Sequence, residues 1–62
     1  MNTFVSFVKQ TLIESGYAIE KINDYWSCVD SDGSVILDAR QQGVLLMKLG
    51  ETFNIKDERE NV

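Results

Sequence analysis

Asp30, Asp32 and Ser34 stand at alternate positions of the run Asp30-Ser31-Asp32-Gly33-Ser34. Oxygen ligands at that spacing open the calcium loop of helix–loop–helix sites, which also need glycine at the sixth position and a bidentate glutamate at the twelfth. Counted from Asp30, those two places hold Val35 and Gln41, so the loop chemistry fails and the run predicts a polar hairpin turn. Cys28 is the only cysteine and histidine is absent. No intrachain disulfide, Cys–His nucleophile pair or Cys/His zinc set can therefore be assembled. Within Tyr25-Trp26-Ser27-Cys28-Val29, Cys28 reads as a small buried apolar side chain. Paired carboxylates occur at Asp30/Asp32 and at Asp57/Glu58, one pair in a turn and the other in a charged C-terminal run. Acid–base work needs a pocket that separates two pKa values, and 62 residues leave little material to enclose one. The glycines are too dispersed for a phosphate-binding loop. We expect no catalytic, metal or cofactor site, and no enzyme.

The bulk properties narrow the field further. Ten acidic and six basic residues give a net charge of −4, and arginine occurs only at Arg40 and Arg59. An acidic chain without a basic cluster repels phosphate, which disfavours direct nucleic-acid binding. The charge suits a basic protein surface, or simple solubility. The N-terminal run has no basic stretch followed by an apolar one, and no apolar run reaches the roughly 20 residues of a membrane span. A free cysteine fits a reducing compartment, so a cytoplasmic location is expected. A domain this small buries only about 60% of its unfolded surface, which makes oligomerisation or a larger partner the available source of extra stability.

A helix, a meander and a second helix follow from the spacing of apolar residues. Phe4, Phe7, Val8 and Leu12 form one stripe and predict a helix over 3–15, capped by Asn2 or Thr3 and closed by Gly16. Tyr17 to Asp38 is cut by Asn23-Asp24 and Asp32-Gly33 into three β-rich runs, the pattern of an antiparallel meander. Asp38, with Gln41 three residues on, matches a capping box for a second helix carrying Leu45, Leu46, Leu49 and Phe53. Gly43 weakens that helix by about 1 kcal/mol relative to alanine, and Gly43 with Gly50 could instead bracket a strand. The helix ends at Gly50 or runs on to Phe53. The expected fold is α+β: a single two-layer α-β-β-β-α domain over 1–55, with 56–62 a charged flexible tail.

Two-residue turns fix the faces of the meander. Ile22 then faces Tyr25, Glu20 faces Ser27, Ala18 faces Val29, Val29 faces Ile36, and Ser27 faces Asp38. One side carries Tyr17, Ile19, Trp26, Cys28, Val35 and Leu37, and goes to the helices. The other carries Ala18, Ile22, Tyr25, Val29 and Ile36, crossed by a polar row of Glu20, Ser27 and Asp38. A three-residue loop at Ser31, Asp32 and Gly33 would exchange the faces of Val35 and Leu37 with that of Ile36. In either register both sides of the sheet are apolar, while two helices cover only one. Contiguous apolar patches mark interfaces, so Ala18, Glu20, Ile22, Tyr25, Val29, Ile36 and Asp38 are the expected partner-binding residues. Tyr25 is the expected anchor.

A short helix closed by Gly16-Tyr17, three strands with an Asp32-Gly33 turn and a final helix resemble the small mRNA-interferase toxins of double-stranded-RNA-binding-like fold. The resemblance implies the same element order. That family's chemistry relies on a histidine in the meander and a basic surface; this chain has neither, so no residue role is carried over. In size and acidity the chain resembles phage-encoded inhibitors such as anti-CRISPR, anti-restriction and glycosylase-inhibitor proteins. The expectation is a small acidic interaction module, homodimeric or docked on a basic protein, of which a phage or mobile-element inhibitor is one version. An antitoxin or transcription cofactor acting through a basic partner is the first alternative. An RNA-binding-like domain, disfavoured by acidity, is the second.

Overall fold

Val5, Val8 and Leu12 recur at helical spacing, and in the computed structural model they form the buried side of α1, Thr3–Glu14. The structure describes residues 3–56; the expected cap at Asn2 and nearly all of the expected tail lie outside them. The remaining elements are β1 (Ala18–Ile22), β2 (Tyr25–Val29), β3 (Val35–Ala39) and α2 (Gln42–Thr52). The domain is α+β, with helix, three-stranded antiparallel meander and helix in that order.

Both helices end in the same way. After α1, Gly16 takes φ 99°, the Tyr17 N–H donates to the Leu12 carbonyl at 3.0 Å, and the Gly16 N–H donates to Ile13 at 3.1 Å. After α2, Asn54 takes φ 56°, the Ile55 N–H donates to Gly50 at 2.8 Å, and the Asn54 N–H donates to Glu51 at 3.2 Å. These are Schellman motifs, which satisfy carbonyls the last helical turn leaves unpaired. They bring the Tyr17 and Phe53 rings to 5.5 Å between centroids, tilted by 51°.

Asn23 and Asp24, at φ 50° and 69°, make the left-handed two-residue turn between β1 and β2. The pairing runs Ala18 with Val29, Glu20 with Ser27 and Ile22 with Tyr25, as the turn residues predict. The second hairpin differs. Its loop is Ser31-Asp32-Gly33, with Gly33 at φ 84° and the Asp30 N–H donating to the Ser34 carbonyl at 3.0 Å. That three-residue loop sets Val35, not Ile36, opposite Val29. A bulge at Ile36 absorbs the extra residue, so Cys28 still pairs with Leu37 and Ser27 with Asp38. Neither single register holds along the whole of β3.

The capping role expected of Asp38 is also corrected. Asp38 lies inside β3, which continues to Ala39 paired with Trp26. The N-cap of α2 is Gln41, at φ −120° and ψ 141°, with no side-chain cap bond. Extending the ladder by one residue pair claims the backbone that a capping box would have used. Segment 44–49 is helix rather than strand: Leu45, Leu46 and Leu49 are fully buried, while Val44 and Met47 are exposed. The helix passes through Gly50 and stops at Thr52, where Phe53 caps it.

The core is Val5, Val8 and Leu12 of α1, Leu45, Leu46 and Leu49 of α2, and Cys28 and Ala39 of the sheet. Each leucine with no exposed surface contributes about 1.5–3 kcal/mol. Trp26, Ile19 and Leu37 close this layer from the sheet side.

Candidate interaction surface

Cross-strand partners lie on one face of a sheet, so the register places Ala18, Glu20, Ile22, Tyr25, Ser27, Val29, Val35 and Asp38 together. Cys28 and Trp26 alternate with them and belong to the core layer. Of the expected partner-binding residues, Glu20 and Asp38 are exposed, Ile22 and Tyr25 are each 38% exposed, and Ala18 and Val29 are half-buried. Ile36 departs from the set. As the bulged residue it has no ladder partner, and it is half-buried against the core cluster. Val35 takes its place beside Val29 and is 52% exposed.

Arg40 was missed in the sequence. Its guanidinium carbon lies 5.4 Å from the centre of the Tyr25 ring, within cation–π range. The signal was present: pairing Ser27 with Asp38 puts Tyr25 opposite Arg40 two residues on. Assigning Asp38 to a helix cap ended the strand too soon for that pairing to be drawn.

Among the described residues, Glu20, Asp38 and Arg40 have no ion-pair partner. Ser27, between the two acids, is only 3% exposed although no described helix covers that face, while Glu20 and Asp38 on either side of it are exposed. The face is therefore apolar at the Ile22–Tyr25 end, acidic across the middle, and apolar again at the Ala18–Val29–Val35 end.

Asp30 and Cys28 have structural duties, and Asp57 and Glu58 lie outside the described residues. Oδ1 of Asp30 accepts the backbone N–H of Asp32 at 2.9 Å and of Ser34 at 3.0 Å, which organises the loop. Cys28 is fully buried, and its thiol is pushed up from the ordinary range first by desolvation and then by the Asp30 carboxylate. That disfavours the thiolate, the form that reacts. Among the described residues there is no cavity and no cluster of three metal-ligating side chains. No described helix is long and apolar enough to cross a membrane. No family model, curated protein or solved structure matches this chain.

Proposed function

We propose that the chain is a non-enzymatic protein-interaction module whose working surface is the open face of the sheet, and that its partner is a protein presenting basic and apolar groups. The observation that carries this reading is the exposed pair Glu20 and Asp38, unpaired among the described residues and set between Ile22 with Tyr25 and Val29 with Val35. Carboxylates in such a setting steer a basic partner and fix its register, while the aromatic and aliphatic groups beside them supply the burial. Tyr25, whose ring lies 5.4 Å from the Arg40 guanidinium carbon, is the aromatic side chain suited to anchor the partner. An inhibitor that occludes a basic site on another protein is one form of this activity.

Site-specific photo-crosslinking in the native host tests the reading. A photoreactive residue at position 35 should give a protein adduct, and the same residue in place of the exposed Lys48 of α2 should not. No adduct at either site, or equal adducts at both, would refute a dedicated sheet-face interface.

A further inference from the structure

We infer that the occupant of the open face is one amphipathic α-helix of the partner protein, about three turns long, carrying Lys or Arg flanked four residues away on both sides by apolar residues. This rests on the docking function proposed above and adds what docks.

Size and spacing both point there. Three strands about 4.8 Å apart present a face about 10 Å across, and five residues at about 3.4 Å run about 17 Å along it. An α-helix is about 10 Å in diameter and needs about 11 residues to cover that length. Along β2 the residues on this side are Tyr25, the buried Ser27 and Val29, two residues or about 6.8 Å apart. Glu20 and Asp38 flank Ser27 on the neighbouring strands and make the central step acidic. Successive groups on one face of a helix, four residues apart, are separated by about 6 Å. An apolar–basic–apolar helix thus meets the apolar–acidic–apolar sheet in register. The added layer would leave the sheet covered on both sides.

Charge separates this occupant from a second copy of the chain. Two copies packed face to face would bring two Glu20–Asp38 rows together, in a protein of net charge −4. A helix bearing one cation between those carboxylates removes that repulsion. The helix has a preferred direction as well. Arg40 at the Tyr25 end favours the partially negative C-terminus of a docked helix, and Asp30 and Asp32 at the far end favour its N-terminus.

The test uses the full chain and three capped synthetic peptides of about 14 residues. Each has an alanine–glutamine background and leucine four residues either side of a central Lys, Gln or Glu. All pay the same helix-ordering cost, so their differences report the central contact. Fluorescence anisotropy should show the Lys peptide binding about tenfold tighter than the Glu peptide, with Gln between. On the Glu20→Lys/Asp38→Lys variant the order should reverse. If that variant does not fold, Glu20→Gln/Asp38→Asn should bring the three peptides together. Equal binding by all three, no binding at about millimolar concentration, or an unchanged order on the charge-swapped protein would each overturn the helix. A position-35 adduct with another copy of the chain would also remove it, while leaving the docking face in use. A missing adduct would remove both.

Discussion

Gly50 of α2 and Phe4 of α1 sit so close that a β-carbon built on Gly50 would lie 3.2 Å from Cζ of Phe4, and 3.3 Å from Cγ2 of Val8. A β-carbon at this contact between the helices is tight, and Phe4 or Val8 must give by a few tenths of an ångström to admit it. Alanine would gain helix propensity there, about 1 kcal/mol. Val8 is fully buried within the core, so shifting it is expected to cost more than that gain. Gly50→Ala is expected to lower stability by about 1 kcal/mol, read from the midpoint of urea unfolding. An unchanged or raised midpoint would show that the helices separate freely at this crossing.

Gly43 is the opposite case. Nothing lies within 4 Å of its added β-carbon, and it stands in the first turn of α2. Gly43→Ala should raise stability by about 0.5–1 kcal/mol, because it restricts the unfolded chain and loses no contact. A lowered urea midpoint would contradict this.

Asp30 should matter through one oxygen. Its Oδ1 accepts two backbone N–H groups of the β2–β3 loop. Asp30→Ala should cost about 1 kcal/mol, and Asp30→Asn, which keeps that acceptor, should restore most of the loss. Equal losses for alanine and asparagine would mean that the carboxylate charge, not the loop bonds, is what counts.

The two hairpins show what the sequence could and could not determine. Asn23-Asp24 leaves one good solution, because both residues accept the left-handed region and the flanking runs are in phase. Every β1–β2 pair followed from it. Around Gly33 two loop lengths were compatible with the same residues, and the structure uses both registers in turn, joined by the bulge at Ile36. A bulge has no compositional mark of its own when its residue is isoleucine, so the exchange of Ile36 for Val35 was not legible. The start of α2 failed for a different reason. Asp38 and Gln41 form a sound local capping signal, but a nonlocal ladder pair, Trp26 with Ala39, displaced it. The same displacement hid Arg40. By contrast, the Schellman end at Gly16 needed only local information and was readable, whereas Asn54 could do the same job after α2 without drawing attention to itself.

Cys28 links the core to pH. Burial, followed by the Asp30 carboxylate, holds its thiol above the ordinary value of 9.0. The folded state therefore keeps a proton that the unfolded state releases, and stability falls as pH rises past the unfolded value. The contribution is complete below pH 9.0 and is lost between there and the raised folded value. Cys28→Ala removes this dependence. The gap in unfolding midpoint between wild type and Cys28→Ala should narrow from pH 7 to pH 10, and a gap that stays constant would show that the thiol titrates alike in both states.

Tyr25 and Arg40 offer the most direct check on the candidate surface, because their contact can be measured without knowing the partner. The guanidinium is exposed and 5.4 Å from the ring centre, so the coupling belongs at the weak end for cation–π pairs, about 0.5–1 kcal/mol. A double-mutant cycle of Tyr25→Leu and Arg40→Gln isolates it from the separate effects of lost area and lost charge. Arg40→Lys should keep only part, since a planar guanidinium covers a ring and an ammonium touches it at one point. High salt should change the coupling little compared with its effect on a surface ion pair, because the ring carries no net charge. A coupling indistinguishable from zero would mean that Arg40 swings free of the ring. Tyr25 would then be an unrestrained side chain on the open face, with no restraint in place before a partner arrives.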